Sequence, residues 1–292
     1  MKKIALLLAL VMTLLCVVSC GEEKSGGLSI APSTTGQASD TQIVSGLMDE
    51  SYTLSKNITK IICLSPAASI IAENLGVADK IIAIDAVSAD YVSFSTSETD
   101  ASGAAALAPE VIIVSESDLS AIGQTDIPVF AVPTATSVAD INNLTRLVAK
   151  IAGISADEAV KNLTNVMSTA QMGSSIYASK LTAYVDLGDG KTVGSGTYVT
   201  EMLYASGLEN ICTIEGFGEM AEADVIAANP EFIITTGSAS DFLDNPAFAA
   251  VDAVRNGYVY EIDEKDIIFG SNNVGNAVSQ MYEKVSIARD AE

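Results

Sequence analysis

The apolar positions of this chain fall into short continuous runs separated by helical periods, after one longer run at its start. Lys2 and Lys3 precede the apolar stretch Ile4 to Val18, which is too short to span about 30 Å of hydrocarbon comfortably and reads as a secretion signal. From Gly21 to about Asp40 the periodicity disappears. Gly, Ser and Thr surround Pro32 there, the pattern of a flexible tether reaching on the order of 25 Å. Ile43 to Leu54 alternates weakly. Lys60-Ile61-Ile62-Cys63-Leu64 is then a compact strand ending in Ser65-Pro66, where Ser65 can cap and Pro66 can open a helix through Ile70, Ile71 and Leu75 that Gly76 closes. The unit repeats. Ile81 to Ile84, Val111 to Val114 and Pro128 to Val132 are further strands, with a helical stretch from Ala104 to Ala108 before the second of them. Runs that are apolar throughout imply strands covered on both faces, and strands interleaved with helices imply a mainly parallel sheet.

Between Ser137 and Lys180 lies the longest helical pattern, with Val138, Ile141, Leu144, Val148 and Ile151 on one face before a break near Gly153. Ser155-Ala156-Asp157-Glu158 has capping-box spacing and restarts it as a rod of about 25 residues, near 37 Å at 1.5 Å per residue. A second α/β series follows. Its strands are Thr182 to Leu187, Phe232 to Thr236 and Tyr258 to Ile262. Gly188-Asp189-Gly190 makes a turn, Gly194-Ser195-Gly196-Thr197-Tyr198 leads into a helix stopped by Gly207, and Val274 to Val285 forms a closing amphipathic helix. The predicted division is a signal at 1–20, a linker at 21–41, an N-terminal lobe at 42–154, an interlobe helix at 155–180 and a C-terminal lobe at 181–292. The expected fold class is α/β: two doubly wound lobes, each with a mainly parallel central sheet, joined by one long helix with a ligand cleft between them.

Composition narrows the function classes. All 37 acidic residues follow Cys20 and only 13 of the 15 basic ones do, a net of −24 beyond the signal. Such a field repels nucleic acid and anionic headgroups, so nucleic acid is excluded as a partner. The chain has no histidine and no tryptophan, which removes the commonest metal ligand and the usual general base. Cys16 leaves with the signal. Val17-Val18-Ser19-Cys20 resembles the bacterial lipobox, in which the cysteine is lipidated and becomes the first residue of a membrane-anchored, extracytoplasmic protein. Cys63 and Cys212 remain, in opposite halves, and suggest no disulfide framework.

Several segments together resemble the substrate-binding proteins of ABC importers for iron-siderophores, haem and cobalamin, whose two lobes are joined by one long helix. They are Lys60 to Ser69 followed by Leu75-Gly76, Ala106 to Ile113, Gly194 to Tyr198, Ala227 to Ile234, Asn245 to Phe248 and Val254 to Tyr260. The resemblance covers roughly Ile43 to Ala288. It implies a monomeric lipoprotein that passes a small metal chelate to an ABC permease and its ATPase, with no cofactor of its own, no resident metal and no catalysis. It also implies one acidic docking residue per lobe, for which Glu98 or Asp100 and Glu222 are available. The chain departs from the pattern where members carry an Arg- and Pro-containing segment, having Phe269-Gly-Ser-Asn-Asn-Val274 instead.

In open α/β sheets ligands bind beyond the carboxyl ends of the strands, where loop amides and helix N-termini converge. That places Ser65, Asp90, Tyr91 and Ser115 to Asp118 on the first lobe. On the second lobe it places Ser195, Thr197, Tyr198, Glu215, Phe217, Thr236 to Ser238 and Asp266 to Phe269. The ligand-binding set is Ser65, Tyr91, Ser115, Ser195, Thr197, Tyr198, Phe217, Thr236 and Phe269. Its aromatic members suit a flat or bulky chelate. The nearest basic residues are Lys191 and Lys265, so a neutral or weakly charged ligand fits best: a corrinoid or a neutral ferric hydroxamate, with haem held through tyrosine behind them.

Three other readings are open. A Ser-Lys hydrolase lacks support, because position 193 is valine rather than the first glycine of G-x-S-x-G and no histidine can serve as base. Lys191-Thr192 likewise lacks the first glycine of a phosphate-binding loop, position 185 being valine. A receptor for bare Zn²⁺ or Mn²⁺ would lean on histidines. An adhesin or structural lipoprotein reusing the binding fold is the remaining alternative.

Overall fold

The computed structural model describes residues 40–290. The signal at 1–20, Cys20 and nearly all of the predicted tether lie outside the described residues. Weak alternation in Ile43 to Leu54 becomes an antiparallel hairpin of β1 (Thr41–Ser45) and β2 (Ser51–Ser55), which buries Val44 and Leu54 and leaves Ile43 exposed. The Glu50 carboxylate fixes the turn: it accepts from the Met48 amide at 2.9 Å and from the Ala131 amide at 3.1 Å.

The first sheet then builds by β/α alternation. Its elements are β3 (Ile61–Leu64), α1 (Pro66–Asn74), β4 (Ile81–Ile84), α2 (Ala86–Ala89), β5 (Ser97–Glu98), β6 (Val111–Ser115), α3 (Leu119–Ile122), β7 (Val129–Val132) and α4 (Val138–Ala152). The sheet order is β5-β4-β3-β6-β7, parallel throughout. The continuous apolar runs are covered on both faces as expected. Ile61, Cys63 and Ile113 pack with α1 and α4, while Ile62, Leu64, Ile112 and Val114 face a second cluster with Ile122. Ala104–Leu107 is a single 3₁₀ turn rather than a helix. Ser65 occupies the cap position of α1 without a side-chain capping bond, so Pro66 at the first helical position carries the start.

The capping box sits at Ser137, not at Ser155. Ser137 Oγ accepts from the Asp140 amide at 3.2 Å, and Asp140 Oδ2 accepts from the Ser137 amide at 3.0 Å. Gly153, in the left-handed region at φ 76°, ends α4, and its missing Cβ would stand 2.6 Å from the Lys56 carbonyl oxygen. Helix α5 (Asp157–Ser174) begins one residue later than a cap at Ser155 would place it, because the Ser155 hydroxyl is engaged in a local turn with the Asp157 amide at 3.0 Å. It also stops short of Lys180. The chain turns after Ser174, and Tyr177 leaves the rod to lie beside Arg289.

The second sheet repeats the plan with β8 (Leu181–Asp186), β9 (Lys191–Val193), α6 (Tyr198–Ser206), β10 (Leu208–Asn210), β11 (Phe217–Glu219), α7 (Glu222–Ala228), β12 (Phe232–Thr235), α8 (Ser240–Leu243), α9 (Asp252–Asn256), β13 (Val259–Glu261) and α10 (Val274–Asp290). Its order is β10-β8-β12-β13, again parallel. The 188–190 turn sends β9 out of this sheet to pair antiparallel with β11. Helices α5, α6 and α10 pack on one face through Leu163, Met202, Leu203, Val278 and Met281. No described helix is long and apolar enough to cross a membrane.

Candidate functional site

Strand order decides where a ligand can sit. In the first sheet, β3 is flanked by β4 on one side and β6 on the other, so the chain reverses direction between the carboxyl ends of β3 and β6. A crevice opens at such a switch point. Ser65-Pro66 follows β3 and Ser115 ends β6, and both border a cleft of about 710 Å³. Across it stand Tyr198, Phe217 and the Ile268–Gly270 segment of the second lobe.

Five predicted residues, Ser65, Ser115, Tyr198, Phe217 and Phe269, are thus brought to one cleft. Phe217, 42% exposed, lines the opening with its ring 6.3 Å from that of Tyr198. Tyr198 is only 1% exposed. Its hydroxyl lies 2.8 Å from the Ile267 carbonyl and 2.6 Å from the Ile268 carbonyl, so it ties down the wall from beneath. Burial raises its pKa and keeps it a neutral donor.

Four predicted residues lie elsewhere. Tyr91 bridges the lobes: its hydroxyl donates to Glu264 at 2.9 Å and its ring meets Phe269 edge-on at 4.5 Å. Burial, then the hydrogen bond to Glu264, pushes its pKa up to about 12. Ser195 borders a different hollow with Tyr204, Asn210 and Cys212, and its hydroxyl donates to the Ile214 carbonyl at 3.1 Å. Thr197 caps α6, accepting from the Thr200 amide and donating to the Gly194 carbonyl. Thr236 is drawn off because the second sheet fills its own switch point. Thr235 donates to Asp186 Oδ2 at 2.7 Å, and the Thr236 amide donates to the Asp186 carbonyl at 3.0 Å.

The cleft is apolar and acidic. Leu47 from the hairpin turn, Pro66, Val132, Pro133 and Ile268 border it together with the carboxylates Glu116 and Asp140, and among the described residues no Lys or Arg lines it. Partial burial alone would raise the Asp140 pKa. The amides and hydroxyls of Thr136 and Ser137 outweigh it, and the net effect is to lower it. Lys191 lies in β9, and Lys265 pairs with Asp263 at 3.6 Å. Leu47 escaped the sequence reading because the alternation of its hairpin was weak. Asp140 was missed as well: its S-x-x-D spacing from Ser137 is a signal, but one for a helix start rather than for a cleft. Among the predicted docking residues, Glu98, Asp100 and Glu222 are all exposed. Asp100 accepts from the Ser102 hydroxyl and the Gly103 amide, which lowers its pKa. Among the described residues, no group of three or more His, Cys, Asp or Glu side chains could hold a metal ion.

Two parallel α/β lobes facing each other across a cleft at a switch point define a two-lobed solute-binding architecture. Residues 61–265 match the periplasmic binding protein family, and the chain belongs to it. That family comprises binding proteins rather than enzymes. The chain is 23% identical over 252 residues to a cobalamin-binding protein of Halobacterium salinarum, an alignment covering 78% of this chain and 66% of that relative. It is 21% identical over 309 residues to an ABC transporter substrate-binding lipoprotein of Bacillus subtilis, covering 96% of this chain and 95% of the relative. The vitamin B12 binding protein BtuF of Vibrio cholerae has a similar fold, with a TM-score of 0.66 at 17% identity, over 80% of this chain and 98% of that one.

Proposed function

We propose that this chain is the substrate-binding component of an ABC importer, held outside the cell by lipid on Cys20, and that its cleft takes a neutral or weakly charged metal chelate. A corrinoid is the first choice, a neutral ferric hydroxamate the second, and haem stands behind both. The observation that carries the reading is the wall of the cleft: Phe217, Phe269, Ile268, Pro66 and Leu47 give apolar surface for a bulky ligand, while Glu116 and Asp140 stand with no cation among the described lining residues to balance a polyanion. The name of the Halobacterium relative supports the corrinoid in particular. Ser65, Ser115, Phe217 and Phe269 are the proposed contacts, with Tyr198 as the floor. Residues 42–154 and 181–292 are the proposed lobes. Glu98 or Asp100 on the first and Glu222 on the second are proposed to meet the permease.

Equilibrium dialysis against cyanocobalamin, a neutral ferric hydroxamate, haem and a ferric catecholate tests the choice. Binding of cyanocobalamin or the hydroxamate, weakened at least about tenfold by Phe217→Ala, is the expected outcome. Tight binding of the catecholate alone would overturn the charge argument. Binding of none of the four would favour the adhesin reading.

A further inference from the structure

The segment from Ile267 to Asn273 is held from both lobes. From below, the Tyr198 hydroxyl engages the Ile267 and Ile268 carbonyls. From the first lobe, Asn74 at the end of α1 donates to the Asn272 side-chain oxygen at 2.8 Å and to that of Asn273 at 2.6 Å. Tyr91, just after α2, packs edge-on against Phe269 and donates to Glu264 at 2.9 Å. Gly270 sits so close to the first lobe that a Cβ there would stand 2.7 Å from the Ala135 Cβ. Phe269 is therefore shared. One side of its ring borders the cleft and its neighbour is the Tyr91 ring.

We propose that Tyr91 and Asn74 are positioning residues, an interlobe brace that holds the Phe269 wall at the cleft, so that opening the lobes and releasing Phe269 are one event. The brace reaches the same short segment from two separate elements of the first lobe, α1 and the loop after α2. Neither residue borders the cleft itself. A phenol donating to a carboxylate is stronger than a neutral hydrogen bond, and the edge-on ring pair adds to it. The Tyr91 phenol keeps its proton through the neutral range, since its pKa is pushed up to about 12 by burial and by Glu264. The inference concerns the walls of the cleft and stands whichever ligand the cleft takes.

Hydrogen exchange on the full-length protein without ligand tests it. Tyr91→Ala and Asn74→Ala should each speed exchange of the amides in 267–273 by about tenfold, while amides of β3 and β8 stay protected. Tyr91→Phe, which keeps the ring and loses the hydroxyl, should give an intermediate acceleration. In that background Glu264→Gln should add nothing. Unchanged exchange across 267–273 in both alanine variants would overturn the brace. If Tyr91→Ala loosens the whole chain, the Asn74→Ala result decides, because Asn74 is exposed and its removal leaves the core intact. Acceleration in α1 without any change in 267–273 would equally reject the proposal, since the effect must cross from one lobe to the other.

Discussion

Tyr198 shows how one side chain can belong to a binding site without being offered to the ligand. Its ring closes the floor of the cleft, and its hydroxyl satisfies the carbonyls of Ile267 and Ile268. Tyr198→Phe would leave buried acceptors unpaired, at a cost of about 1–3 kcal/mol. For a chain of this size that corresponds to a Tm lower by about 2–4 °C per kcal/mol, readable in a thermal melt. The pH dependence has a definite sign. An unfolded tyrosine titrates near pH 10, and burial raises the folded value of Tyr198 above that. The unfolded chain therefore loses its proton first. Stability is full below about pH 10 and falls as pH climbs toward the raised folded value. Melts of the wild type should decline above about pH 10, and those of Tyr198→Phe should decline less steeply. Identical slopes would assign the alkaline loss to other groups.

At the scale of elements, the two lobes use the same joint twice. Ala108-Pro109-Glu110 enters β6 and Asn229-Pro230-Glu231 enters β12, and the first residue of each is left-handed, with φ 49° for Ala108 and 47° for Asn229. Each glutamate reaches back to a threonine at the start of the neighbouring parallel strand, Thr59 just before β3 and Thr182 second in β8. Glu110 accepts from the Thr59 amide at 2.8 Å, its hydroxyl at 3.0 Å and the Lys60 amide at 3.0 Å. Glu231 accepts from the Thr182 amide at 2.8 Å and hydroxyl at 3.2 Å. These clamps set the register of β3 with β6 and of β8 with β12. Partial burial would raise the Glu110 pKa, but the Thr59 and Lys60 donors together lower it. A glutamate with a depressed folded pKa stabilises above its unfolded value near 4.3 and loses that contribution as pH falls through the folded one. Glu110→Ala should cost about 1–3 kcal/mol in denaturant unfolding at pH 7, and the difference from wild type should shrink as pH drops below about 4. A difference that persists undiminished in acid would show that packing, not charge, carries the clamp.

These joints also explain which features could be read from the chain. Strands buried on both faces announce themselves by composition, so β3, β4, β6, β7, β8 and β12 were all legible. Residues directly after a strand at the switch point inherit their position from the topology, which is why Ser65 and Ser115 reach the cleft. Thr236 also follows a strand and Tyr91 follows α2, yet their directions are set by partners far away in sequence: Asp186 for the first, Glu264 and Phe269 for the second. Leu47 depends on Glu50 holding a turn against the edge of β7. No local pattern encodes such a contact.

Over the whole molecule, charge is spent in an unusual way. The chain carries 37 acidic and 15 basic residues, a net of −22. Among the described residues the ion pairs are Arg255 with Asp252 at 2.8 Å and Lys265 with Asp263 at 3.6 Å, neither of them buried. Several cations serve carbonyls instead. Lys80 donates to the Ile58 and Ala152 carbonyls at 3.0 and 2.9 Å, stitching the start of β3 to the end of α4, and Lys180 donates to the Tyr204 carbonyl at 3.1 Å. Exposed pairs of this kind contribute about 0–1 kcal/mol each, so they cannot offset the mutual repulsion of so many carboxylates. The screening length shrinks from about 30 Å at 0.01 M salt to about 8 Å at 0.15 M, which weakens that repulsion across the body while leaving Lys80 and its carbonyls within direct contact. Raising sodium chloride over this range should therefore raise the Tm. The affinity for an uncharged ligand such as cyanocobalamin should stay within about twofold, because the cleft supplies apolar contact rather than ion pairs to screen. A Tm that falls with added salt would mean that attraction between unlike charges outweighs the repulsion. A steep loss of affinity over the same range would place a compensating cation at the cleft.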